Sequence, residues 1–223
     1  MNTVVGSYVD ERSPRSYAMT LEPTVHLLVD YAWPASIDSA LAEGIVQLMR
    51  QTTQSAPFIG FDTTINDEQA SRYVEELKAN LASGKCHLLA ISAANHGPLI
   101  AKCVLRRNLN PNNRHIADLS KGMISEKYRG GLVLAAAFVE ISRLCDAQGI
   151  ELLTLDVRAG THAERAWERF GFRTYGLLED YARVEGHSIA GRFMAQPVAN
   201  LRARALDILA KANVRSITDD ADD

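Results

Sequence analysis

Asp118 and Asp156 each stand inside a run that otherwise reads as a β-strand, His115 to Ser125 and Glu151 to Arg158. Aspartate is depleted in strands, so each of the two needs a reason. One reason is chemical: a carboxylate holds a cation by charge, or takes a proton from it when burial raises the carboxyl pKa. The other is structural: each aspartate sits on a solvated sheet face, or pairs with Arg106, Arg107 or Arg158. Strand alternation points Asp156 away from Leu153, Leu155 and Val157. The residue types alone leave both readings open.

The second chemical candidate is the stretch Ser125-Glu126-Lys127-Tyr128-Arg129-Gly130-Gly131-Leu132. A strand passes through a short glycine loop into a long helix, whose first free N–H groups and positive dipole end suit a phosphate. Glycine lets the backbone approach closely, and Arg129 adds charge. The same residues also make an ordinary surface turn. Cys86, Cys103 and Cys145 form an odd set without metal-ligand spacing, which fits reduced thiols and no metal. Cys145 lies on an apolar helix face and reads as core. His115 reads as a structural residue at a strand start, and His162 as a solvent-facing residue in a first helical turn.

The elements that position these residues follow from periodicity and punctuation. Residues 1 to 23, with Pro14 and Pro23, read as an irregular arm, followed by a strand from Thr24 to Ala32. Pro34 and Ser36 open a helix with apolar positions Leu41, Ile45, Leu48 and Met49. A loop from Thr53 to Ile65 leads to a second helix near Asn66, with Gln69 placed for a capping box and Gly84 as its stop. Strands at Cys86 to Ala93 and Leu99 to Arg107 flank the turn Asn95-His96-Gly97-Pro98. After the strand carrying Asp118 comes a helix from Leu132 to Gln148, then the strand carrying Asp156. A short helix at Ala163 to Phe170, strands at Phe172 to Leu177 and Ile189 to Met194, and a helix at Leu201 to Val214 complete the chain.

Strand, helix and strand between His115 and Arg158 imply a parallel pair with a right-handed crossover. The expected class is α/β: one mixed, mostly antiparallel sheet with helices on both faces. The expected organisation is one domain over 24–197, preceded by the arm 1–23 and followed by an appended helix 198–215 and an acidic tail 216–223.

Composition bounds the function. The chain has 223 residues, 24 Lys+Arg against 27 Asp+Glu, and 47% hydrophobic residues, a profile that suits a soluble protein with a sizeable core. Its longest apolar run, Leu132 to Val139, falls far short of the roughly 20 residues that cross a bilayer. Met1 to Arg15 has no apolar signal-like core, so a cytoplasmic protein with no membrane partner is expected. Four of the 27 acids are Asp219, Asp220, Asp222 and Asp223, so the remaining 23 acids nearly balance the 24 bases. With no basic stripe interleaved by aromatics, a nucleic-acid partner is not expected. The helix Leu201 to Val214 carries Arg202, Arg204 and Lys211 but no Trp or Phe anchor. It is expected to pack on its own domain or on a second subunit in a homodimer.

Four segments in order carry a resemblance. They are Asn113-Arg114-His115-Ile116-Ala117-Asp118 with Lys121 and Ile124; Tyr128-Arg129-Gly130-Gly131; the run Leu152 to Glu164; and Ala163, Trp167, Gly171-Phe172, Gly176 and Tyr181-Ala182. Over about Thr24 to Met194 the chain resembles the GNAT superfamily of acyl-CoA-dependent N-acyltransferases, and within it the tabtoxin-resistance-like acetyltransferases. The resemblance implies acetyl transfer from acetyl-CoA to the amine of a small molecule, such as an antibiotic, toxin or metabolite. The alternatives are a peptide or protein N-acyltransferase, or a GNAT-like module that has lost catalysis and serves binding or assembly.

The same resemblance implies that the strands of Asp118 and Asp156 splay apart and receive the pantetheine arm between them. Met123, Ile124 and Ser125 would then make backbone contacts with the arm. Arg129, Gly130, Gly131, Leu132, Val133 and Leu134 would take the pyrophosphate, and Trp167 would lie near the CoA sulfur. Asp118 and Asp156 would handle the proton of the acceptor amine. Two departures stand out. Leu132 and Leu134 occupy positions where the family keeps small residues, and their bulk is expected to crowd the phosphate. Trp167 stands where the family often has a tyrosine that protonates the departing thiolate. Indole has no usable proton for that purpose, which leaves water, Tyr128 or Tyr181.

Overall fold

The structure is a computed structural model, and it describes residues 14–22, 25–55, 65–94, 97–184 and 186–216. Strand β1 (Arg15–Glu22) pairs antiparallel with β2 (Val25–Ala32). This corrects the reading of residues 1 to 23 as an irregular arm, at least from Arg15 onward; residues 1–13 lie outside the described set. Tyr17 and Met19 supply the period-2 apolar face, and both are buried. The strand is too short for that alternation to stand out locally, and long-range contacts hold it. The Tyr17 hydroxyl donates to Glu140, a buried carboxylate that also accepts from Arg143 at 2.7 Å and lies 3.9 Å from Arg15.

Helix α1 (Ser39–Ser55) begins later than Pro34 and Ser36 suggest, because the Asp38 carboxylate accepts from the Leu41 N–H at 2.8 Å and sets the N-terminus. It also extends into the expected loop as far as Ser55; most of that loop, 56–64, lies outside the described residues. Helix α2 (Asp67–Ala82) has the capping box: Asn66 accepts from the Gln69 N–H at 2.8 Å, and Gln69 accepts from the Asn66 N–H at 3.1 Å. Then come β3 (Cys86–Ala93), β4 (Leu99–Arg107), β5 (Ile116–Ile124), α3 (Leu132–Gln148) and β6 (Leu152–Arg158). Gly149 ends α3 at φ 66°, a left-handed turn that glycine adopts without strain. The chain closes with α4 (His162–Arg169), β7 (Arg173–Val184), β8 (His187–Pro197), α5 (Val198–Lys211) and β9 (Arg215–Ser216). The last two full strands are longer than the alternation suggested, since β7 and β8 form a hairpin whose outer part is exposed.

The nine strands run in the order β7-β8-β6-β5-β4-β3-β2-β1-β9. Every pairing is antiparallel except β5 with β6. One face packs on α3 and α5 through Leu89, Ala117, Leu119, Leu153 and Leu155, among others. The opposite face packs on α1 and α2 through Leu88, Val104 and Met123. Leu201, Ala205 and Leu209 bury α5 against this same chain, and Arg202 donates to the Ser142 carbonyl of α3 at 3.0 Å. The chain then returns to the sheet, where β9 pairs with β1.

Candidate active site

The parallel pairing of β5 and β6 covers only Ile116 with Leu152, Ala117 with Leu153, and Asp118 with Thr154. Beyond Asp118, β6 stays with β8 and β5 stays with β4, so the two strands part and a length of β5 edge opens between them. A bulge accompanies the parting. Lys102 pairs with Met123 and Val104 with Ser120, so Cys103 faces two residues, Lys121 and Gly122. Lys121 has φ 51°, in the left-handed region that residues with a side chain seldom occupy.

Ala117, Leu119, Leu153, Leu155 and Val157 fill the α3 side of these strands. Alternation therefore turns Asp118, Thr154 and Asp156 to the other face, the one that carries α1 and α2. The structure thus brings the two sequence-predicted carboxylates together, diagonally across adjacent strands. Burial, and then the neighbouring Asp156 charge, push the Asp118 carboxyl up from 3.8 to about 6. Arg106, its cross-strand partner, and the Thr154 hydroxyl at 3.4 Å oppose that rise.

Asp156 is reached by a side chain two strands away. The Tyr181 hydroxyl donates to its carboxylate. Between Leu178 and Ala182, β7 has three residues where β8 has one, and this irregularity carries Tyr181 over β8. The ring crosses at Gly191, where an added Cβ would lie 2.2 Å from the ring's Cγ. Only glycine leaves room for the crossing. Burial, and then the Asp156 carboxylate, push the Tyr181 phenol up to about 12. Its proton is therefore held toward Asp156, which makes Tyr181 a poor donor to a departing thiolate.

The loop before α3 takes a shape that glycine permits. Gly130 has φ 149° and Gly131 has φ 109°, and α3 starts with no side-chain cap and no acidic residue in its first turn. Successive backbone N–H groups ahead of a helix form a concave site for an anion. An added Cβ on Gly131 would lie 3.4 Å from the Arg169 guanidinium, so this cation from the end of α4 sits directly over the loop. Sequence reasoning missed Arg169, and no spacing signal links it to Gly131. Arg129 turns back along the strand end, donating from Nε to the Ile124 carbonyl at 3.3 Å.

Leu132 and Leu134 are partly buried and pack against the core, with Val133 fully buried beneath them. This corrects the expectation that leucine bulk crowds the loop: the first turn of α3 directs these side chains to the protein. Met123 is buried on the α1–α2 side and pairs with Lys102, and Ile124 pairs with Ala101. The Ser125 N–H donates to Ile100 at 2.8 Å and its carbonyl accepts from Tyr128 at 2.9 Å, so both groups already serve the protein. Trp167 belongs to an aromatic cluster, 5.6 Å from the Phe138 ring and 5.2 Å from the Phe172 ring. Tyr128 is buried under Lys127. His115 and His162 are exposed, as expected, and Cys145 is fully buried.

A mixed sheet with one parallel pair that splays, a bulge on the inner strand and a glycine loop leading into the crossover helix define the GNAT fold, and this chain has it. No family model matches the chain. Among solved structures it is similar to RimJ of Mycobacterium smegmatis in complex with CoA-disulfide, with 16% identity over 92% of this chain and 96% of that one, at a TM-score of 0.67. It is similar to a ribosomal-protein-alanine N-acetyltransferase of Brucella melitensis, with 17% identity over 73% and 97% of the two chains and a TM-score of 0.59. It is also similar to an acetyltransferase of the GNAT family from Streptococcus pneumoniae, with 18% identity over 75% and 99% and a TM-score of 0.58. These likenesses carry the fold and distinguish no subgroup within it. Among the described residues, no helix is long and apolar enough to cross a membrane.

Proposed function

We propose that the protein is an acyl-CoA-dependent N-acyltransferase that moves an acetyl group from acetyl-CoA to a cationic amine of a small molecule. The observation that carries the reading is the parting of β5 from β6 after Asp118, with a glycine anion loop on one side and two carboxylates on the other. The packing of Leu132 and Leu134 into the core supports a working cofactor loop over a module that has lost catalysis.

In this reading the N–H groups of Gly131 to Leu134, with Arg169 and Arg129 beside them, hold the pyrophosphate. The open edge of β5 at Met123 and Ile124 meets the pantetheine arm, and the aromatic cluster of Trp167 backs the cleft. The thioester supplies the acyl carbon that the amine nitrogen attacks, and the C–S bond breaks to release CoA thiolate. Asp118 and Asp156 attract the acceptor as an ammonium and handle its proton. An alkyl ammonium near ~10.4 lies ~6 kcal/mol uphill from a carboxylate of about 6, against ~9 kcal/mol for an ordinary one. Burial of Asp118 therefore removes about a third of the barrier to direct transfer, and water carries the remaining relay.

A peptide amine is the second reading, favoured by the ribosomal-protein-alanine N-acetyltransferase among the structural neighbours. Calorimetry with acetyl-CoA, followed by CoA-release assays on small amines and on peptides with free N-termini, tests both readings. Absence of acetyl-CoA binding at millimolar concentration overturns the activity. Release driven by peptides alone selects the second acceptor class.

A further inference from the structure

Lys102 is only 2% exposed, in the middle of β4, on the face that α1 and α2 cover. A lysine taken so completely out of water is costly unless its amine is bonded. Its Nζ lies 2.6 Å from the Tyr73 hydroxyl on α2, and it donates to the backbone carbonyl of Lys121 at 3.1 Å. It also stands 5.0 Å from the centroid of the Tyr73 ring. No carboxylate is among the groups that set its charge; those are Cys103 on its own strand and Lys121 on β5. Burial brings the Lys102 amine down from 10.5 to about 7, and burial keeps the Tyr73 phenol neutral. Both contacts outlast loss of a proton: a neutral amine accepts from the Tyr73 O–H and still donates to Lys121.

The carbonyl it holds belongs to the bulge. Lys121 sits at φ 51°, a conformation that persists in a residue with a side chain only where the surroundings fix it. The bulge lies between Asp118, where parallel pairing stops, and Met123, where the open edge of β5 begins. We propose that Lys102 is a positioning residue: with Tyr73 it clamps the Lys121 carbonyl, fixes the β5 bulge, and so presents the β5 edge along which the acyl-CoA arm lies. The last clause rests on the acyltransferase reading above. The clamp itself does not.

The test compares wild type, Lys102→Met and Tyr73→Phe by amide hydrogen exchange without ligand and by calorimetric titration with acetyl-CoA. Loss of a hydrogen bond from a charged, buried donor should speed exchange of the Lys121 to Ile124 amides about tenfold in Lys102→Met, and less in Tyr73→Phe. Exchange in α3 and β6 should stay unchanged. The KM for acetyl-CoA should rise about tenfold with kcat nearly constant, because the amine touches neither reacting group. Unchanged exchange in both variants, or faster exchange spread over the whole sheet, overturns the clamp. Local loosening with unaltered acetyl-CoA affinity overturns its positioning role. If Lys102→Met does not fold, Tyr73→Phe decides alone. Failure of the wild type to bind acetyl-CoA overturns the acyltransferase reading, while the exchange data still judge the clamp.

Discussion

Replacing Asp118 by Asn separates the electrostatic character of the site from mere strand packing. The carboxyl lies at about 6 in the folded chain against an ordinary 3.8. Because the folded value is the higher, the folded state binds this proton more tightly than the unfolded one. Stability contributed by the group is therefore greatest below about pH 4 and falls as pH rises through about 6, where the folded carboxyl ionises. At ~1.4 kcal/mol per pH unit, the gap between 3.8 and about 6 is worth ~3 kcal/mol at most. Asn keeps an oxygen for the Thr154 hydroxyl but cannot ionise, so it escapes that penalty. For a chain of 223 residues, 1 kcal/mol moves Tm by roughly 2–4 °C. Asp118→Asn should thus melt roughly 6–12 °C above wild type near pH 8 and level with it near pH 4. The same variant should lose about 10²–10⁴-fold in turnover if Asp118 acts as the base, and the acid limb of the rate profile near pH 6 should vanish. Thermal scans from pH 4 to 8 and CoA-release kinetics read both effects. A stability difference that does not widen with pH, together with wild-type turnover, refutes the reasoning and returns Asp118 to a solvated sheet face.

Three further outcomes follow from the same geometry. Asp156→Asn removes the charge that helps raise Asp118, so the acid limb should persist but move to lower pH; a limb that stays in place separates the two carboxylates. Gly131→Ala puts a Cβ at φ 109° and 3.4 Å from the Arg169 guanidinium, a strain of order 1–3 kcal/mol. It should weaken acetyl-CoA binding measured by calorimetry while leaving acceptor affinity unchanged. Gly191→Ala drives a Cβ to 2.2 Å from the Tyr181 ring, and overpacking of this kind costs about 1–3 kcal/mol. It should lower Tm and, by pulling the phenol off Asp156, change the acceptor KM more than that of acetyl-CoA.

Signals that act within a few residues were legible in the sequence. Asn66 and Gln69 cap a helix through each other's backbone, and Gly149 stops one by turning left-handed, whatever the rest of the chain does. Period-2 alternation turned Asp156 away from Leu153 and Leu155, and the strand-helix-strand order made β5 and β6 parallel. Tertiary structure decided what depends on partners far along the chain. Strand β1 exists because β2 pairs with it and because Glu140, more than a hundred residues away, bonds Tyr17. Leu132 and Leu134 turn inward because the core lies on that side of α3. Arg169 covers Gly131, Tyr181 crosses Gly191 to Asp156, and Lys102 grips the Lys121 carbonyl only once helices and strands have docked. A sequence specifies short-range backbone geometry through residues that touch along the chain. The charges and hydroxyls that tune this site act through space, so they could be identified only from the assembled sheet.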